Sequence, residues 1–196
     1  MYDFVLFEDF SIEGGPGEFI GIYGESGSGK TTIMNILGLI EDYDAGQIKY
    51  KNQLVTSSAD KSKLLADEIG FIFQNYALIS NKSIAYNFKF IRNNVMTIEE
   101  AMKIVGLDYL ALNRKVFTLS GGEQQRVAIA RTIYKGCSII FADEPTASFD
   151  EDNKLKIMSI FSELVSKDVS ILVVTHDLSL KEYFDRLIYL ESNRHK

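Results

Sequence analysis

GESGSGKTT, residues Gly24 to Thr32, stands between the apolar run Phe19, Ile20, Gly21, Ile22, Tyr23 and a stretch with Ile33, Ile36, Leu37 and Ile40 at helical spacing. The order is strand, glycine-rich loop, helix, which is the setting a phosphate-binding loop requires. Gly24, Gly27 and Gly29 let the backbone take positive φ and approach a ligand closely, so that successive N–H groups converge on phosphate oxygens. The helix that follows adds unpaired N–H donors and the positive end of its dipole. Lys30 supplies a point charge for β- and γ-phosphates, the Thr31 hydroxyl can ligate Mg²⁺, and Thr32 continues into the helix.

Working outward, a chain of 196 residues with 46% hydrophobic residues can bury a sizeable core, and its length favours one domain or one domain carrying an insertion. The net charge is −6 and the basic residues are scattered, so the broad positive face of a duplex nucleic-acid binder is not expected. Cys137 is the single cysteine, which excludes an intramolecular disulfide. The longest apolar runs, such as Ile171 to Val174, fall far short of the about 20 residues needed to cross a bilayer. The start MYDFVLFEDF has acids and neither a basic leader nor a small-residue cleavage site. A cytoplasmic location is therefore expected, with any membrane work reached through a partner.

Along the chain, Val5 to Ile12 reads as strand, and Gly14, Gly15, Pro16 and Gly17 as a turn. Gln47 to Tyr50 and Gln53 to Val55 form a short hairpin about Lys51 and Asn52, and Lys61 to Asp67 a surface helix. Ile69 to Phe73 is a buried strand ending at Gln74. Residues 76–118 then change character. Ile84, Phe88 and Ile91 recur at helical spacing, and Thr97 with Glu100 makes a capping box, so this part is expected to be a helical insertion between core segments 1–75 and 119–196. From Gly121 the pattern is helix to Tyr134, strand Ser138 to Ala142, helix Glu151 to Val165, strand Ser170 to Thr175, helix Leu178 to Phe184 and strand Leu187 to Leu190. Strands alternating with amphipathic helices imply an α/β fold with a mostly parallel sheet, whose ligands bind at the carboxyl ends of the strands. The glycine loop, Gln74, Asp143 and His176 all fall at such ends.

Asp143 and Glu144 end one apolar strand, and neighbours on an extended chain face opposite ways. Asp143 can hold Mg²⁺, while Glu144 can orient or deprotonate an attacking water. His176 can hydrogen-bond a γ-phosphate or fix the geometry of Glu144, and Gln74 can touch both metal and water. In LSGGEQQR, Leu119 to Arg126, Ser120 and Glu123 form a capping box over a helix whose buried stripe is Val127, Ala130 and Tyr134. Two glycines at that helix start leave bare N–H donors able to approach a second phosphate.

GESGSGKTT, Gln74, LSGGEQQR, IIFADEPT, the ASFD of Ala147 to Asp150, and His176 together resemble the ABC-type ATPases, in that family's order and over essentially the whole chain. The resemblance implies a P-loop NTPase fold with an N-terminal antiparallel β subdomain and an inserted helical subdomain. It implies that Gly24, Glu25, Ser26, Gly27, Ser28, Gly29, Lys30, Thr31 and Thr32 hold ATP, with Mg²⁺ on Thr31, Gln74 and Asp143. Glu144 is then the catalytic base, with His176, Gln74 and Lys30 beside it. Ser120, Gly121, Gly122 and Glu123 would act in trans, closing the ATP site of a second copy, and Asp150 would lie between the two sites. Tyr2, or else Phe4, is the available aromatic for adenine. The segment FQNYALISNKSIAYNF, Phe73 to Phe88, resembles the subgroup serving macrolide, lipoprotein-release and bacteriocin export, in which this region receives a permease helix. The expected assembly is a head-to-tail dimer around two ATPs, peripheral on the cytoplasmic face of the membrane and joined to a permease. The alternative is a soluble ABC ATPase acting on a macromolecular assembly, such as iron–sulfur cluster assembly.

Overall fold

The computed structural model describes residues 10–147 and 149–190. Its centre is a five-stranded, wholly parallel sheet. In chain order, β1 (Phe19–Tyr23) leads through the glycine loop into α1 (Lys30–Leu37), followed by a two-stranded antiparallel pair, β2 (Lys49–Tyr50) and β3 (Gln53–Leu54). Next come α2 (Ser58–Asp67) and β4 (Ile69–Ile72), then two short helices, α3 (Ile84–Phe88) and α4 (Ile98–Ile104). The remainder alternates as α5 (Gly121–Lys135), β5 (Ile139–Asp143), α6 (Glu151–Val165), β6 (Ser170–Thr175) and β7 (Arg186–Tyr189). The sheet order is β4-β5-β6-β1-β7.

Register aligns the carboxyl ends. Tyr23 pairs with Thr175, Asp143 with Val174, and Ile72 with Ala142, so the residues that follow each strand emerge along one edge. Side-chain alternation then sorts the two faces. Ile22, Phe141, Leu172 and Val174 pack with Ile33 and Met34 of α1 on one face. Phe19, Ile140, Ala142 and Val173 pack with α5 and α6 on the other, where Phe161 meets Phe19 edge to face with ring centroids 6.2 Å apart. The same second core takes in Ile84, Phe88, Ala101 and Met102, so the helical segment 76–118 shares its interior with α5.

Local chemistry explains the boundaries. Capping boxes open α2 at Ser57 with Asp60, α4 at Thr97 with Glu100, and α5 at Ser120 with Glu123. The β2–β3 turn has no glycine, yet Lys51 and Asn52 take φ 49° and 63°, the two left-handed residues of the hairpin turn that matches strand twist. The expected helix at Leu178 is a 3₁₀ segment, Leu178–Tyr183, capped by Asp177. Of the expected strand Val5 to Ile12, residues 5–9 lie outside the described residues, and Phe10 to Ile12 are not in a strand. No described helix is long and apolar enough to cross a membrane.

Gly21 in β1 has no room for a side chain: an added Cβ would sit 2.5 Å from the Phe184 ring and 2.8 Å from Leu187. Gly21→Ala is therefore expected to lower unfolding free energy by about 1–3 kcal/mol through overpacking, read as a lower urea midpoint at unchanged slope.

Candidate active site

β1 delivers the chain to the loop at Gly24, where an added Cβ would meet Ser28 Oγ at 2.6 Å and the Leu190 carbonyl at 2.9 Å. Gly29 caps α1 at φ 89°, in the left-handed region that a side chain resists. No acid occupies the first turn of α1 and no side chain caps it, which leaves its terminal N–H groups without a side-chain partner. Lys30, 7% exposed, folds back over the loop, its ammonium donating to the carbonyls of Gly24 at 2.7 Å and Glu25 at 2.8 Å. The Ser28 hydroxyl is buried in the same loop with no partner. A buried cation, an orphaned hydroxyl and an uncapped helix start within one glycine-rich loop suit a polyphosphate.

Thr31 of α1 donates its hydroxyl to Asp143 Oδ2 at 3.0 Å, joining the loop helix to the end of β5. Burial holds the Asp143 carboxyl above its ordinary range; the Thr31 hydrogen bond works against this and the neighbouring Glu144 charge adds to it. A cation placed there would reverse the effect. Thr31, Asp143 and Gln74 line one cavity of about 320 Å³ with Asn35, Phe73 and Asn75. Hydroxyl, carboxylate and amide oxygens are the donors a hard divalent cation takes, so these residues fit magnesium. Among the described residues, no cluster of three His, Cys, Asp or Glu side chains offers a metal site.

Glu144 differs from expectation in how it turns away from Asp143. Strand β5 ends at Asp143, and Glu144 adopts φ 45°, so a left-handed residue rather than strand alternation separates the two carboxylates. The Glu144 side chain is 11% exposed and doubly held. Oε2 accepts from the Thr175 hydroxyl at 3.1 Å; Oε1 accepts from the His176 backbone N–H at 3.0 Å and lies 2.7 Å from His176 Nδ1. The outer edge of the imidazole remains toward solvent, the ring being 64% exposed. A second cavity of about 320 Å³ opens beside this pair.

Gln74 lies two residues beyond β4 and is exposed. The turn after it is strained, with Tyr76 at φ 65° and Ala77 at φ 46°, and Arg131 of α5 donates to the Ala77 carbonyl at 2.6 Å and the Tyr76 carbonyl at 3.4 Å. Ser120 and Gly121 are exposed at the start of α5. Glu123 is engaged within the chain, accepting from Ser120 N at 2.8 Å and from the Tyr109 hydroxyl at 2.8 Å. Asp150 caps α6 by accepting from Asn153 N at 2.9 Å. Tyr2 and Phe4 lie outside the described residues. Thr175 and Lys154 escaped the sequence reading. Thr175 is the residue just before His176, and Lys154 is a cation in the acidic first turn of α6, against the usual preference there.

The ABC transporter family profile matches residues 7–147. The ABC transporter ATP-binding protein MJ0796 of Methanocaldococcus jannaschii is 37% identical over 192 residues, covering 89% of this chain and 80% of that protein. The putative hemin import ATP-binding protein HrtA of Staphylococcus saprophyticus is 39% identical over 185 residues, covering 89% of this chain and 83% of that one. The macrolide export ATP-binding/permease protein MacB of Mannheimia succiniciproducens is 36% identical over 196 residues; the alignment covers 95% of this chain and 30% of MacB. In three dimensions the fold superposes on the dimeric post-hydrolysis structure of MJ0796 bound to ADP and Pi with a TM-score of 0.86, at 33% identity, covering 95% of this chain and 87% of that chain. Loop, carboxylate pair, histidine and exposed glycine-led helix thus occur on a shared scaffold, and the chain belongs to the ABC transporter family as one of its ATP-hydrolysing cassettes.

Proposed function

We propose that two copies of this chain bind two Mg-ATP between them, hydrolyse them to ADP and phosphate, and drive a membrane permease that exports its substrate. The observation that carries the hydrolytic part is the division of labour at the end of β5: Asp143 bonds Thr31 on the loop side, while Glu144 is aimed by Thr175 and His176 beside an open cavity. The residues are assigned as follows. N–H groups from Gly24 to Thr32 cradle the phosphates, and Lys30 exchanges its two carbonyl partners for β- and γ-phosphate oxygens. Thr31, Asp143 and Gln74 would hold magnesium, which when bound neutralises charge on the phosphate oxygens.

Glu144 takes a proton from the attacking water as its oxygen bonds the γ-phosphorus; the bond from that phosphorus to the bridging oxygen breaks, and ADP leaves with the electron pair. His176 keeps the Glu144 carboxylate in place through Nδ1 and its backbone N–H, and its exposed outer edge would meet the γ-phosphate. The start of α5, the exposed Ser120 and Gly121 with the half-buried Gly122, serves the partner copy's triphosphate with helix-terminal donors, a reading supported by the dimeric MJ0796 structures. Export is supported by the macrolide-export relatives, and the permease contact by exposed apolar side chains after Gln74: Ile79 at 43% and Phe90 at 64%. The working place is the cytoplasmic face of the membrane.

Glu144→Gln is expected to retain ATP while turnover falls by about 10²–10⁴, the span of a lost general base, and to elute as an ATP-bound dimer on size exclusion. Wild-type turnover in this variant would remove Glu144 from the chemistry. Ser120→Arg should bind ATP as a monomer with wild-type affinity in equilibrium dialysis and lose turnover; retained turnover would mean that α5 serves no second copy. Phe90→Asp should keep ATPase activity but lose a membrane protein that copurifies with the wild type, and unchanged copurification would exclude this surface.

A further inference from the structure

Lys154 is a buried lysine on the wrong end of a helix. It lies in the first turn of α6, where the helix dipole disfavours a cation, and it is 9% exposed. Burying an ammonium is costly unless charged partners surround it. Its partners come from two elements: Glu151 Oε1 at 2.8 Å within α6, and Asp177 Oδ2 at 2.7 Å across the gap to the turn after β6. Glu151 is 76% exposed, whereas Asp177 is 28% exposed, so the Asp177 bond is the less screened of the two.

Asp177 adjoins His176 and is part of the same web. Its N–H donates to Thr175 Oγ1 at 3.0 Å, the hydroxyl that donates to Glu144; its other oxygen accepts from Ser179 N at 2.9 Å and Ser179 Oγ at 2.6 Å. Burial opposes its ionisation, but the hydrogen bonds from Lys154 and Ser179 more than offset this and bring the carboxyl down to about 2. Lys154 therefore ends a continuous run from α6 through Asp177 and Thr175 to Glu144. Glu144, His176, Asp177, Lys154 and Phe149 line one cavity, in which Lys154 is the permanent cation among carboxylates. Without it, the Asp177 carboxylate would lack its cation and compete with Glu144 for the donors around His176.

We propose that Lys154 is a positioning residue for the Glu144–His176 pair: by clamping Asp177 to the start of α6, it makes the aim of the hydrolytic carboxylate depend on where the segment Phe149–Asp150 holds that helix. This rests on the assignment of Glu144 and His176 given above. The clamp explains why a cation stands where helix electrostatics disfavour it, since its role is set by the neighbouring loop and not by the helix.

The test compares Lys154→Met, Lys154→Arg and the double variant Lys154→Met/Asp177→Asn in steady-state ATPase assays. Lys154→Met should lower kcat by about tenfold or more with KM for Mg-ATP within about twofold, the pattern of an interaction that matters in the transition state. Lys154→Arg should recover most of kcat. The double variant should be faster than Lys154→Met alone, because removing both partners is less harmful than leaving one charge unpaired. A second readout needs no turnover: the His176 imidazole resonance, separated from that of His195 with a His195→Gln background, should shift in Lys154→Met and return in Lys154→Arg. A Lys154→Met variant with wild-type kcat, or with an unmoved His176 resonance in a folded protein, overturns the proposal. Absence of ATPase activity in the wild type would refute the proposed function, while the resonance would still decide the clamp.

Discussion

Two carboxylates on consecutive residues meet different partners within a few ångströms, and the site's arrangement depends on keeping them apart. Asp143 belongs to the strand and meets Thr31; Glu144 is turned out of the strand at φ 45° and meets Thr175 and His176. A non-glycine residue in the left-handed region is unfavourable, of order 1 kcal/mol or more, and persists only where its surroundings insist on it. Here they do: Glu144 N donates to the Val174 carbonyl at 3.0 Å, and both carboxylate oxygens are taken. The strain buries one acid beside the loop helix and aims the other into the opposite cavity.

Parallel pairing makes this local arrangement serve the whole molecule. Because β1, β5 and β6 run side by side in register, the loop after Tyr23, the carboxylates after Ala142 and the histidine after Thr175 arrive at one edge without any further device. The two hydrophobic cores keep that edge level, α1 packing one face and α5 with α6 the other. Helix α5 has a wider reach than packing alone. Its start is exposed, its middle fills the core beneath the helical segment, and Arg131 grips two carbonyls of the strained turn after Gln74. That turn is thereby bonded to the helix that opens on the exposed Ser120 and Gly121. Such linkage is what a cassette needs if nucleotide and a docked partner are to sense each other.

Electrostatics at the edge follow the same plan. Lys30 lies buried against carbonyls on the loop side, and Lys154 lies buried against carboxylates on the side of Glu144. Each stands where a lysine would ordinarily be excluded, and each is satisfied by bonds of less than 3 Å. The difference lies in their partners. Neutral carbonyls can be given up to a phosphate, whereas the paired carboxylates of Glu151 and Asp177 hold Lys154 in place.

Composition, periodicity and spacing by themselves determined the parallel α/β architecture, the strand, loop and helix around GESGSGKTT, and the capped start of α5, because each is written in a short window: apolar period, glycine placement, a serine three residues ahead of a glutamate. The order of the motifs also pointed to the family. Tertiary structure alone decided the sheet order, the turning of Glu144 by a left-handed backbone, the hydroxyl of Thr175 beneath it, and the pairing of Lys154 with Asp177 across 23 positions. Those features depend on which strands become neighbours and on how burial leaves a charge in need of a partner, and no local window contains that information.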